Sequence, residues 1–419
     1  VRVSRCVHAV LAINIAWLSI AAAFFTPMSL NLGSIGRIAR GVRGHLSMTS
    51  SSGDTSINFR FGVIADVQYA DIPTTTGFDG KNTRYYDQTL GDLKEADKWW
   101  RSVCKKDGQQ MAFIANLGDL LDGQNLDKPG ETQRSIKALC QVFANAEYAP
   151  YTVHLVGNHE LYNFNRQELV DGVAISDTYT FRATIPARAE PAPPTCTDPK
   201  AFYYAFSPKG ADGQYRIVVL DPYDVSAMRD GGGRHGIELY EGHGLHDEGL
   251  ALLKQHNHNP VGERSQIDFF QGLEDVEKRW VPFNGALGGE QMSWLRKQLE
   301  TAQEMSQKVI LLSHVILHPD ATPRRSCRTL LWNYDEALVL LREFPGVVPL
   351  VMCGHAHKGE KVFDPLSKTH HLTVHSPLQH PQSYAYCDVL RDGSIQIVGH
   401  GDEPSWTVSL DDAAAVRSN

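Results

Sequence analysis

No C-x-x-C pair occurs anywhere in the 419 residues. The seven cysteines (Cys6, Cys104, Cys140, Cys196, Cys327, Cys353, Cys387) are scattered and odd in number. That spacing argues against a zinc cluster or a disulfide framework, and several sit in apolar runs as small hydrophobes do. Basic runs are missing from the body of the chain, whose 40 basic and 48 acidic residues leave a net charge of −8. A nucleic-acid surface is therefore not expected. The glycine run Gly231-Gly232-Gly233 has no strand before it and no helix after it, against a dinucleotide fingerprint. Acidic residues are absent from positions 1–53.

That acid-free segment reads as a leader. Arg2 and Arg5 precede an apolar run at 9–25, interrupted by Asn14 and Ser19. A signal-peptide core suits it at least as well as a membrane span. Arg37, Arg40 and Arg43 then follow among serines, as in a transit peptide. The alternative is a start at Met48. Translation from there implies a cytoplasmic protein; the leader implies a secretory or plastid address. Residues 54–403 are expected to form one catalytic domain, with a cap-like insertion at about 224–289 and a loose tail at 404–419. Its 42% hydrophobic content supplies an ample core.

The stretch Asn116-Leu117-Gly118-Asp119-Leu120-Leu121-Asp122-Gly123 organises the rest. An apolar run at 111–115 leads into it as a buried strand. Gly118 allows a sharp turn, and Asp119 stands past the strand end, where open α/β sheets build their sites. Four other strand-like runs end the same way. The run 59–65 delivers Asp66 and Gln68, expected to face one way as i and i+2 of an extended segment. The run 151–156 delivers Asn158 and His159, 308–313 delivers His314, and 347–353 delivers His355 and His357. Further strands are expected at 216–220, 371–375 and 384–390, with a hairpin through Asp392-Gly393. Helices are expected at 85–104, 132–144, 289–303 and 335–343 from apolar residues at helical spacing. Trp99 and Trp100 read as packing. His243, His246, His256 and His258 in the insertion read as solvated surface, since a ligand cluster needs partners at fixed spacing.

Asp66, Gln68, Asp119, Asn158, His314, His355 and His357 combine carboxylate, amide and imidazole donors without a thiolate. Such a set suits two divalent ions bridged by Asp119. Ions about 3.5–4 Å apart acidify a bridging water, whose hydroxide attacks phosphorus in line. His159 is placed to stabilise or protonate the leaving oxygen.

The series Asp66-x-Gln68, Gly118-Asp119-x-x-Asp122-Gly123, Gly157-Asn158-His159-Glu160, His314 and Gly354-His355-x-His357 resembles the calcineurin-like metallophosphoesterases. Most of that superfamily carries histidine where Gln68 stands. The glutamine variant, with Gly157-Asn158-His159-Glu160-Leu161-Tyr162-Asn163-Phe164 and Leu331-Trp332-Asn333-Tyr334, is similar to the manganese-dependent ADP-ribose/CDP-alcohol diphosphatases. The resemblance implies an α/β (α+β) sandwich of two mixed β-sheets flanked by helices. It implies cleavage of ADP-ribose to AMP and ribose 5-phosphate, and of CDP-choline-like compounds to CMP and a phosphoalcohol. The partners are then small nucleoside diphosphates, with no stable membrane partner for the catalytic domain, and a monomer is expected. Replacing imidazole by an amide oxygen hardens the site and favours Mn²⁺, or Mg²⁺, over zinc and iron. Phe78, Tyr85 and Cys327 are the candidate substrate-binding residues; Trp332 and Tyr334 are weaker ones. The alternatives are another metallophosphoesterase activity (phosphomonoester, phosphoprotein or cyclic nucleotide) and a non-catalytic scaffold of the same fold.

Overall fold

Twelve strands carry the architecture: Ile57–Ile64 (β1), Met111–Asn116 (β2), Thr152–His154 (β3), Tyr204–Phe206 (β4), Tyr215–Val219 (β5), Lys308–Ser313 (β6), Leu350–Cys353 (β7), Glu360–Asp364 (β8), Thr369–Thr373 (β9), Tyr384–Leu390 (β10), Ile395–His400 (β11) and Trp406–Val408 (β12). The computed structural model describes residues 56–77, 80–177, 179–182, 202–228, 245–259 and 268–409. The leader, the proline-rich stretch at 189–199, the triple glycine and Phe78 lie outside them. One sheet runs β12-β11-β10-β1-β2-β3, the other β8-β9-β7-β6-β5-β4. Both are mixed: β1 pairs parallel with β2 and antiparallel with β10, while β6 lies parallel to β5 and β7, and β8 runs antiparallel to β9.

Strand periodicity divides each sheet between two cores. Phe59, Phe61, Val63, Phe113 and Ala115 of the first sheet meet Ile217, Val219, Ile310, Leu312, Leu350 and Met352 of the second. Phe61 and Phe113 stack there at 4.8 Å. The opposite faces, through Ile64, Ile114, Val309, Leu311 and Val351, pack on helices. These are Thr89–Asp107 (α1), Glu131–Ala144 (α2), Gly289–Glu304 (α3) and Tyr334–Glu343 (α4). With both faces covered, the central strands read as continuous apolar runs, which is why they stood out in the sequence. Trp100 is wholly buried on α1 and donates its indole N–H to the Ala385 carbonyl at 2.9 Å, a packing role as expected. The five described cysteines are free and buried. Among the described residues no helix is long and apolar enough to cross a membrane.

Several boundaries differ from the sequence reading. Helix α1 starts at Thr89, four residues later than expected. Strand β9 spans Thr369–Thr373, so His375 lies in the loop beyond it. The tail is not loose from 404: Trp406–Val408 pairs with β11 at the sheet edge, and Val408 is buried. A short ladder pairs Val225–Ser226 with Gly285–Ala286, near the two ends of the segment expected as an insertion. His246 within it is buried, not solvated, and His256 stacks on Trp280 at 3.9 Å.

Candidate dinuclear metal centre

The loops leaving β1, β2, β6 and β7, with the turn after β3, meet at one end of the sandwich. Parallel pairing continues past the strand ends: Asp66 N–H donates to the Gly118 carbonyl at 3.0 Å and Gln68 N–H to that of Asp119 at 2.8 Å. Asp66, Gln68, Asp119, Asn158, His159, His314, His355 and His357 are all buried. Asp66 and Gln68 do not converge as neighbours on an extended strand. Strand β1 ends at Ile64, and both residues take left-handed backbone, with φ 52° and 42°. Asp119 (54°), His355 (70°) and His357 (61°) share that conformation. Non-glycine residues rarely adopt it and it costs energy, so its concentration here marks a functional site.

Two glycines make room for the carboxylates. A Cβ on Gly354 would lie 2.6 Å from Asp66 Oδ2, and one on Gly157 would run into the side chain of Asp119. Backbone N–H groups fix both acids: His355 N–H donates to Asp66 Oδ2 and His159 N–H to Asp119 Oδ1, each at 2.8 Å. Glu160 bolts the turn together. Its carboxylate accepts from the N–H groups of Asp119, Leu120 and Gly157 at 2.7, 2.7 and 2.8 Å.

The donor atoms fall into two groups that share Asp119 Oδ2. It lies 3.0 Å from the Gln68 amide and 3.4 Å from His314 Nε2. On one side, His357 Nε2 stands 3.6 Å from Asp66 Oδ1 and 2.9 Å from the Gln68 amide. On the other, His314 Nε2 and His355 Nδ1 face each other at 3.1 Å. Asp119, His314 and His355 offer ligand atoms all within 4.8 Å of one another. The rear of each ring sets its tautomer: His314 Nδ1 meets the Leu117 carbonyl and His355 Nε2 meets Asn284 Oδ1, both at 2.8 Å. In the neutral rings this leaves the inward nitrogens with lone pairs, as a metal ligand requires. Tyr223 donates to Asn158 Oδ1 at 3.3 Å, and the Asn158 amide N–H donates to Tyr162 at 3.2 Å, so this amide is oriented too.

Burial pushes the Asp66 carboxyl upward, and the nearby Asp119 charge adds to that. Burial acts the same way on Asp119, but the charges of His314 and His159 outweigh it and hold this acid below the usual carboxylate range. Burial opposes a charge on His314 as well; Asp119 wins and lifts the imidazole to about 9. His355 and His357 are driven well below the ordinary histidine value by burial. Asp66 Oδ1 and Gln68 Oε1 are buried acceptors with no hydrogen-bond partner. Such atoms are costly inside a protein; a cation satisfies Asp66 Oδ1 in place, and Gln68 Oε1 once the amide is turned to face His357 and Asp119. The residues therefore fit a pair of divalent ions.

His159 accepts the Gly123 N–H at its Nδ1 (2.8 Å), so its proton sits on Nε2, which lies 4.0 Å from Asp119 Oδ2. Of the candidate substrate residues, Cys327 has no exposed surface. Its N–H binds the Thr322 hydroxyl and its sulfur faces the Arg325 carbonyl, so the thiol is closed to a ligand. Tyr85 is half-buried and joins the 374–380 loop through its backbone N–H to Leu378. Trp332 is wholly buried core. Sequence reasoning missed Asn284, Tyr223 and Glu160 as supports. Asn284 and Tyr223 come from stretches where no motif points to them; Glu160 closes the Gly157-Asn158-His159-Glu160 string and carried the signal.

The calcineurin-like phosphoesterase family model matches residues 59–359. A rice (Oryza sativa subsp. japonica) manganese-dependent ADP-ribose/CDP-alcohol diphosphatase is 34% identical over 348 residues, 81% of this chain and 91% of that protein. The Homo sapiens protein of the same name is 29% identical, covering 83% of this chain and 91% of its own. A crystal structure of a dimetal phosphatase from Danio rerio superposes with a TM-score of 0.67 at 26% identity, over 85% of this chain and all of that one. The site and these likenesses agree: the chain belongs to the calcineurin-like phosphoesterase family, among the manganese-dependent ADP-ribose/CDP-alcohol diphosphatases.

Proposed function

We propose that this chain hydrolyses the diphosphate bond of ADP-ribose to AMP and ribose 5-phosphate, and that of CDP-alcohols such as CDP-choline to CMP and a phosphoalcohol, using manganese. The relatives' names support the substrate class. The observation that carries the chemistry is the partnerless buried acceptor Asp66 Oδ1, 3.6 Å from His357 Nε2, beside the imidazoles gathered around Asp119. In this reading Asp66, Gln68, Asp119 and His357 hold one ion, and Asp119, Asn158, His314 and His355 hold the other. Turning the Gln68 amide about its last bond brings the oxygen to the place of the nitrogen.

The ions, when bound, supply positive charge for the phosphoryl oxygens and a more acidic water. The chain does the rest. Asp119 and Asp66, pinned by backbone N–H groups, would hold the ions in fixed places. His159 presents the Nε2 proton for the oxygen that leaves phosphorus. Phe283 lies half-buried at the rim, its ring 6.0 Å from that of His355, with Phe269 and Phe270 beside it at 6.2 and 6.3 Å. These rings offer the apolar surface a nucleobase needs. The chain acts on such small molecules as a monomer.

Product analysis of ADP-ribose and CDP-choline, with and without manganese, tests this. AMP and CMP should form only with the metal, with little action on phosphomonoesters. Release of inorganic phosphate from monoesters at comparable rates would overturn the assignment.

A further inference from the structure

His357 has a glutamine amide at each ring nitrogen. The Gln68 amide nitrogen is 2.9 Å from its Nε2, and that of Gln379 is 2.9 Å from its Nδ1. A neutral imidazole carries one N–H and one lone pair, so two amide NH₂ groups cannot both donate to it. One of the two glutamines must present its carbonyl oxygen. Nε2 faces Asp66, Gln68 and, beyond them, Asp119; Nδ1 faces the loop at 374–380.

The other two imidazoles have no such freedom. The Leu117 carbonyl behind His314 can only accept. Asn284 behind His355 has its NH₂ committed to the carbonyls of Arg279 and Arg328, at 2.8 and 2.9 Å, which locks its oxygen toward the ring. Among the described residues, the Gln379 side chain has His357 as its one recorded hydrogen-bond partner. It can turn either end to Nδ1. Its position is nonetheless firm. Ser376 binds the His357 carbonyl through its N–H (3.1 Å) and the Asp66 carbonyl through its hydroxyl (2.6 Å), and Gln379 N–H binds Ser376. Behind them, Glu403, with a wholly buried side chain, takes the His375 N–H at 2.7 Å.

We propose that Gln379 is a positioning residue for the metal site: by accepting the Nδ1 proton of His357 at its carbonyl oxygen, it selects the tautomer whose Nε2 lone pair faces Asp66 and Gln68. The proposal rests on the reading of His357 as a ligand.

The test is titration of the metal-free full-length protein with Mn²⁺, followed by calorimetry and by the EPR signal of free manganese. Gln379→Leu removes the acceptor, Gln379→Glu makes it acceptor-only, and His357→Ala serves as the benchmark. Loss of an outer partner typically weakens a metal by about 10–100-fold. Gln379→Leu should bind one equivalent as wild type does and the other about 10–100-fold more weakly, with the melting temperature of the metal-free protein little changed. Gln379→Glu should hold both at least as tightly as wild type. Unchanged affinity at both equivalents in Gln379→Leu, or weaker binding in Gln379→Glu, overturns the proposal where His357→Ala loses an equivalent. Two undisturbed equivalents in His357→Ala overturn the ligand reading beneath it.

Discussion

Gly354→Ala sets one methyl group against the carboxylate of Asp66. Gly354 is not among the positive-φ glycines, so alanine meets no backbone penalty there and the effect is one of contact alone. The new Cβ would start 2.6 Å from Asp66 Oδ2 and 3.2 Å from the Ala65 Cβ, whereas real Cβ atoms essentially never come under 3.0 Å. Asp66 must retreat by at least about 0.4 Å, and the Ala65 Cβ at 3.2 Å crowds the new methyl as well. The move weakens the 2.8 Å bond from His355 N–H, itself worth about 1.5–3 kcal/mol as a bond to a charged group. Overpacking adds about 1–3 kcal/mol. A misplacement near 1 Å can cost about 100-fold in rate, so a shift of about half that should lower kcat/KM for ADP-ribose by about 10-fold. Thermal unfolding, manganese affinity and steady-state kinetics read the three effects. Gly289→Ala is the control, since nothing lies within 4 Å of the added methyl; it should leave all three near wild type. Wild-type kinetics and manganese affinity in Gly354→Ala would refute the reasoning.

Gln68→His should shift metal preference from manganese toward zinc or iron by restoring a softer nitrogen donor; equal manganese dependence in both proteins counts against it. Manganese affinity should rise with pH, because His314 is lifted to about 9 in the metal-free site and must lose its proton to ligate. The ligand-competent form is scarce below that value and grows about tenfold per pH unit toward it, so calorimetry between pH 6 and 8 should show proton release; pH-independent affinity contradicts this. Arg60→Met should destabilise the fold by about 3–5 kcal/mol, because the buried guanidinium holds Asp388 at 2.6 Å and Asp107 at 2.9 Å, tying β1 to β10 and to the end of α1. A loss under about 1 kcal/mol in urea unfolding would show the pair to be dispensable. Phe283→Ala should raise KM for nucleotide substrates with little change in kcat; unchanged KM removes the ring from recognition.

The strands were legible because both sheets are buried on both faces, so 59–65, 111–115, 308–313 and 347–353 read as plain apolar runs. The candidate ligands were legible because each follows such a run, often across a glycine. Their backbone was not. Period-two reasoning put Asp66 and Gln68 on one face of a strand, but β1 stops at Ile64 and both residues turn left-handed. Sequence spacing carries no signal for that strain, which is held by the Gly118 and Asp119 carbonyls of a distant segment. Asn284, Tyr223 and Gln379 escaped for a related reason: they act on the rear of a ligand from loops with no motif, and only three-dimensional proximity identifies them. Strand β12 was hidden by its length of three residues beside Gly401, Asp402 and Pro404. Cys327 was a candidate substrate-binding residue, and its thiol is buried.

Diffraction from crystals soaked in manganese, collected at its absorption edge, addresses the site most directly. Two anomalous peaks about 3.5–4 Å apart, one beside Gln68 and His357, the other beside His314 and His355, with Asp119 between them, are expected. A soaked crystal with no peak within ligand distance of Asp119 would contradict the assignment.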